Sequence, residues 1–255
     1  RVRRQRQMCI RDRVLNKLYL IPIRVGLSGT ALRHKDKVKN ITVESFFGQE
    51  TFVIKNKELV EMGVSSNIII TMRKGNTKPV GASDYKSEFD AAITYGVERL
   101  DRAIDAAKYH VREGHIPILV VCKYIAQVEE TYERYKKEFP YLKIEYIHHN
   151  VSDRKEKLDR FKRGETNILI ASLIIKVGQN MPLIQYMQNL ASGDSAIQAL
   201  QLLGRALRSH ESKKVTYFDD FFDEGNYLKR HSKHRLKYYK DEGLNVIEDY
   251  KGKLL

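Results

Sequence analysis

The chain is predicted to be an α/β protein built on a parallel sheet flanked by helices, and three observations carry that reading. From residue 116 onward, short apolar runs alternate with amphipathic helical stretches, the order expected of βα units. A run of three isoleucines, Ile68 to Ile70, reads as a buried strand. Finally, Lys123, His149, Ser172 and Gly178 fall at or just beyond the ends of predicted strands, where function gathers in such sheets.

Taken in order, Ile21–Val25 is a short apolar strand running into the Ser28-Gly29-Thr30 turn. Residues 32–66 are mixed in polarity, with Phe46, Phe47 and Phe52 expected to pack locally. Asn67–Met72 is the buried strand, and 73–87, with Gly75, Pro79 and Gly81, is a loop. Phe89, Ile93, Val97, Leu100 and Ile104 recur at helical spacing and predict one helix over Ser87–Glu113, closed by Gly114. Strands are then predicted at Ile116–Cys122, Ile144–His148, Asn167–Ser172, Ile184–Leu190 and Val215–Phe218. Helices at Ala126–Phe139 and Ser152–Arg163 lie between the first of these, and an arginine-bearing helix precedes the last.

That arginine helix is the most informative stretch. At about 100° per residue, Gln201, Gly204, Arg205 and Arg208 share one face, opposite Leu200, Leu203 and Leu207. Leucines seat such a helix on a core, and two guanidiniums and an amide are left for a multiply charged oxyanion such as a nucleotide phosphate. Taken alone, the pattern also fits an amphipathic helix with solvated arginines.

Of the 255 residues, 46 are basic and 32 acidic, a net charge of +14. Such an excess favours polyanionic partners, nucleic acid foremost. Six arginines against Asp12 place +5 of it within residues 1–13. That segment fits no helix or strand pattern and resembles a translated sequencing-adaptor remnant, a basic nucleic-acid-binding arm being the alternative. Cys9 and Cys122 are the two cysteines, too few for a disulfide framework, so a reducing cytoplasm is expected. The longest apolar run, Ile168 to Ile175, is too short to span a bilayer.

The runs Gly26-Leu27-Ser28-Gly29-Thr30-Ala31, Ile118 to Lys123, Phe161 to Gly164, Ile168 to Ser172 and Gly178-Gln179-Asn180-Met181-Pro182 precede Gln201 to Arg208. In this order and spacing they resemble motifs III to VI of superfamily 2 helicases over about residues 20–240. The tail from Asp219 to Tyr239 makes the likeness closest to phage recombination and repair helicases of the UvsW type. The resemblance implies a RecA-like helicase C-terminal domain at 67–225. Before it would lie the end of a first RecA-like domain at 14–40 and a crossing at 41–66, and a basic extension would follow at 226–255.

It further implies Arg205 and Arg208 as catalytic arginine fingers, with Gln201, Gly204, Gly178 and Asn180 at the nucleotide and Ser28, Gly29 and Thr30 coupling the sites. Lys123, Tyr124, Arg154 and Ser172 are implied at the nucleic-acid backbone, although each taken singly also reads as an ordinary polar residue. The family often has Asp where Asn180 stands. In the tail, Lys229, Arg230, Lys233 and Lys237 are interleaved with aromatics, a pattern suited to phosphates and base stacking. His231 and His234 lack nearby Cys or carboxylate ligands in sequence, so no metal site is expected there.

The implied cofactors are ATP and Mg²⁺, and the implied partner is DNA, branched or single-stranded. No Gly-x-x-x-x-Gly-Lys-Ser/Thr loop occurs in the chain, so the phosphate-binding motifs are expected in a first RecA-like domain of which this chain keeps only the end. The expectation is therefore the C-terminal portion of an ATP-dependent helicase or translocase, inactive by itself. A non-enzymatic nucleic-acid-binding module and a restriction-type translocase subunit are the alternatives.

Overall fold

The computed structural model describes residues 23–26, 37–49, 51–63, 65–75, 82–173, 181, 183–194 and 215–252. The chain divides into two compact units, residues 1–53 and 54–255.

In the first unit, helix α1 spans Lys37–Phe47. Ile23 and Val25, expected in a strand, belong to none and are largely exposed. A strand needs a neighbour for its backbone groups, and none pairs with them among the described residues. Phe47 approaches Gly26, whereas Phe52 is 76 % exposed, so the expected local packing of phenylalanines does not extend to it.

The second unit opens with helix α2 (Asn56–Glu61) and holds one seven-stranded sheet. Its strands are β1 (Asn67–Lys74), β2 (Ile118–Cys122), β3 (Ile144–Ile147), β4 (Ile168–Ser172), β5 (Tyr186–Asn189), β6 (Val215–Phe222) and β7 (Asn245–Ile247), ordered β3-β4-β2-β5-β6-β1-β7. Every pairing is parallel, so all carboxyl ends share one edge. Between the strands lie α3 (Tyr85–Phe89), a π turn (Asp90–Thr94), α4 (Val97–Arg112), α5 (Ile125–Glu138) and α6 (Arg154–Lys162). Helix α7 (Tyr227–Asp241) follows β6, and a 3₁₀ turn (Asp249–Lys251) follows β7. Among the described residues no helix is long and apolar enough to cross a membrane.

Strand periodicity sorts side chains to two cores. Leu119 and Val121 of β2 join Ile70, Leu169 and Met187 beneath Phe161 of α6 and Tyr239 of α7. Ile118, Val120 and Cys122 face the other way, against Leu100, Ala103 and Ile104 of α4 and Val128 and Tyr135 of α5. Burial pushes the Cys122 thiol up to about 12, as an apolar interior does to a group that must charge on deprotonation.

The second unit adds two further departures from the predicted elements. The single helix expected over Ser87–Glu113 is broken, because the chain turns through the π segment and Gly96 before α4 begins. A Cβ at Gly96 would lie 2.0 Å from the Ala92 carbonyl oxygen, so only glycine fits the break. Strand β6 also runs four residues beyond its expected end at Phe218, through Asp219 and Asp220. Both carboxylates are fully buried, which sequence polarity argues against. They are tolerated because each meets an arginine: Arg73 bonds Asp219, and Arg235 bonds Asp220 at 2.7 and 3.1 Å. Beyond them Asp223, also buried, receives Arg99 at 2.9 Å.

Residues 226–255, expected as a basic extension, carry α7 and β7. Leu228, Ser232, Arg235, Leu236 and Tyr239 of α7 are buried, and β7 pairs with β1 as an edge of the sheet.

Candidate nucleic-acid interface

Because the strands are parallel, the residues that follow β2, β4, β5 and β6 emerge together at one edge. Lys123 follows β2 directly, and Ser172 ends β4 opposite Cys122. A cleft of about 290 Å³ opens there, lined by Tyr85, Lys123, Leu173, Ser192, Asp194 and His231.

Lys123 is the cation of this cleft. Its backbone N–H donates to Gln127 Oε1 at 2.8 Å, and its Nζ donates to the Tyr85 hydroxyl at 2.8 Å. The ammonium lies 4.3 Å from the Tyr85 ring centroid, 4.8 Å from Phe89 and 5.0 Å from Tyr124. Ring quadrupoles attract a cation, so the three rings help to hold the ammonium in place.

The opposite wall is the turn Ser192-Gly193-Asp194. Ser192 has φ +45°, a value uncommon outside glycine. It is held there by the buried ion pair: Arg99 Nη2 donates to its Oγ at 2.8 Å, and its own hydroxyl donates to Asp223 at 3.0 Å. Asp194 meets His234 at 2.6 Å.

Helix α7 enters the same edge, fixed by a residue distant in sequence. The buried Glu88 carboxylate accepts the backbone N–H groups of Tyr227 at 3.1 Å and Leu228 at 3.0 Å. A carboxylate suits the positive end of a helix, where N–H groups lack intrahelical partners. Gly225, at φ +136°, makes room for it, since a Cβ there would lie 2.1 Å from Glu88 Oε1.

Of the residues expected at the strand backbone, Lys123, Tyr124 and Ser172 come together at this edge. Tyr124 stands edge-on to Phe89 at 5.0 Å, and Ser172 is 9 % exposed. Arg154 opens α6 on the exposed surface, its Nη1 reaching the His149 carbonyl at 3.4 Å. The tail residues spread along α7 instead of forming one point. Lys229 pairs with Glu224 at 2.8 Å, Arg230 lies 5.8 Å from the Tyr227 ring, and Lys233 and Lys237 are exposed. Lys237 follows Lys229 by eight residues, about 12 Å along a helix. Ser28, Gly29, Thr30, Gly178, Asn180, Gln201, Gly204, Arg205 and Arg208 lie outside the described residues.

Tyr85, Phe89, Ser192 and His231 were not singled out from sequence as site residues. Tyr85 sits in a stretch that reads as loop, and 38 positions separate it from Lys123. His231 is visible in the sequence as one of the tail's interleaved aromatics and as half of a His-x-x-His pair, neither of which points to the ring it packs against.

Residues 98–210 match the helicase conserved C-terminal domain. A candidate helicase 22 of Sulfolobus islandicus filamentous virus is 21 % identical over 240 residues, covering 88 % of this chain and 42 % of that protein. Among solved structures, T4 UvsW superposes with TM-score 0.55 at 21 % identity, covering 72 % of this chain and 40 % of that one. A fragment of a candidate HsdR subunit of a type I restriction enzyme from Vibrio vulnificus YJ016 superposes with TM-score 0.62 at 16 % identity, covering 84 % and 42 %. The chain therefore spans about two fifths of each of these relatives.

Proposed function

We propose that this chain, whose residues 98–210 match the helicase conserved C-terminal domain, is the C-terminal portion of a superfamily 2 ATP-dependent DNA helicase or translocase, the part that grips the strand and completes the nucleotide site. The observation that carries the reading is Lys123, an ammonium held among three aromatic rings at the carboxyl edge of the sheet, inside the matched domain. Phosphates bound there are met by a point charge, and Ser172 lies at the end of the neighbouring strand.

In this reading Arg205 and Arg208 stabilise charge on the terminal phosphate of ATP, with Gln201, Gly204, Gly178 and Asn180 beside the nucleotide. Ser28, Gly29 and Thr30 couple strand contact to the nucleotide. Mg²⁺, when bound with ATP, neutralises phosphate charge, and its ligands belong to a half that carries a phosphate loop. The second reading is a nucleic-acid-binding module that acts without turnover, and a phosphate loop in the sequence upstream of these residues would decide against it.

The test joins this chain to a phosphate-loop half and measures DNA-stimulated ATP hydrolysis. Arg205→Ala and Arg208→Ala are each expected to lower it by about 10³–10⁵-fold while leaving nucleotide-free DNA binding intact. Near-parental turnover in either variant would make that arginine structural. Tight DNA binding with no stimulated hydrolysis in any joined form would favour the binding module.

A further inference from the structure

Tyr85 occupies a short helix whose first turn is pinned by Asp84. That carboxylate accepts the Lys86 N–H at 2.8 Å, the Ser87 N–H at 3.1 Å and the Ser87 hydroxyl at 2.7 Å. The tyrosine ring is clamped from the far side, 5.0 Å from His231 and edge-on to Tyr227 at 6.2 Å. Its hydroxyl position is therefore set by two separate elements, α3 and α7.

The hydrogen bond to Lys123 has a defined direction. An ammonium only donates, so the Tyr85 oxygen accepts, and the phenol keeps its own hydrogen for a second acceptor. Burial, and then the neighbouring Tyr124, push the Tyr85 phenol above its ordinary value, so it stays protonated through the neutral range. Across the cleft stands the strained Ser192 turn, and backbone held in a sparsely populated region clusters at ligand sites.

We propose that Tyr85 and Lys123 form one oxyanion site for a phosphodiester of a bound strand, the phenol donating to one phosphate oxygen while the ammonium supplies the charge. Tyr85 is then a binding residue, and Phe89 and Tyr124 position the lysine. The site rests on the strand-gripping reading above and adds to it a neutral donor that no charge pattern reveals.

The experiment titrates the 255-residue chain into fluorescein-labelled oligothymidylate and follows anisotropy at several KCl concentrations. Tyr85→Phe keeps the ring and the cage and removes only the hydroxyl. It is expected to weaken binding about tenfold, the scale of a hydrogen bond to a charged group, with the parent's salt slope, since a neutral donor releases no counterion. Lys123→Ala is expected to lower that slope by about 0.7. The double variant should bind more weakly than Lys123→Ala, because the phenol's own hydrogen bond to the phosphate is lost as well. Parental affinity in Tyr85→Phe overturns the site while the strand-gripping reading stands. A slope reduced as far as in Lys123→Ala also overturns it, since the hydroxyl would then serve only to aim the lysine. Failure of the parent to bind overturns the underlying reading and this site with it.

Discussion

Arg235 of α7 and Asp220 of β6 form a two-point ion pair in the interior, Nε to Oδ2 at 2.7 Å and Nη2 to Oδ1 at 3.1 Å, with side-chain exposures of 1 % and 0 %. Tyr239 donates to the same carboxylate at 2.7 Å, and Arg235 also reaches the Gly193 carbonyl at 2.7 Å. An arginine from the most basic stretch of the tail thus anchors helix to sheet and supports the cleft turn.

Removing one member of this pair strands a buried charge. Arg235→Met is expected to cost about 3–5 kcal/mol in urea unfolding. Arg235→Met combined with Asp220→Leu should recover much of that loss, because no charge is left unpaired. A double variant as unstable as the single would show that the arginine acts through packing alone.

Gly225→Ala should destabilise by at least about 1 kcal/mol, since alanine opposes the φ of +136° and its Cβ meets Glu88. In a Glu88→Ala background the steric part disappears and only the backbone part remains. Strictly additive losses in the two variants would mean that the Glu88 contact does not constrain this turn.

His110 gives the fold a pH dependence. It stacks on Tyr186 at 3.7 Å and meets His115 Nδ1 to Nδ1 at 2.9 Å, with Tyr217 and Arg73 also nearby. Burial, then the charge of His115, hold its value down at about 3. The unfolded chain therefore binds a proton that the folded chain refuses between about pH 6.5 and 3. Full stability is present above that window and falls as pH drops through it, by about 2 kcal/mol at pH 5 from this group. Urea midpoints recorded across the window should fall less steeply in His110→Phe, which keeps a ring against Tyr186. Equal slopes for parent and variant would remove His110 as the cause.

The exposed basic face of α7 is proposed to follow the strand beyond the cleft. Replacing Lys229, Arg230, Lys233 and Lys237 together by alanine should weaken every single-stranded DNA by a similar factor. Each lost contact should flatten the slope of log K against log salt by about 0.7. A slope equal to the parent's leaves Lys123, Arg154 and Ser172 as the strand contacts.

Much of the fold was legible because its determinants are local. Ile118–Cys122 and Ile168–Ser172 are apolar runs that water rejects wherever they stand in the chain, and Gly114 closes α4 at φ +74°. The carboxyl-edge placement of Lys123 and Ser172 followed from strand alternation alone. The end of β6 did not, since Asp219 and Asp220 look soluble until Arg73 and Arg235 arrive from other elements.

By itself, the sequence determined the parallel α/β layering, the edge where polar residues gather and the excess of positive charge, because hydrophobic periodicity and net charge are sums over neighbouring residues. Only the tertiary structure decided which charges are available to a ligand. Arg235 and Lys233 are equivalent in a list of basic residues, yet one is sealed against Asp220 and the other faces solvent. Tyr85 and Lys123 become one site only when α3 and β2 are brought to the same edge. The physical reason is that desolvation and hydrogen-bond geometry depend on what lies within a few ångströms in space, which spacing along the chain does not encode.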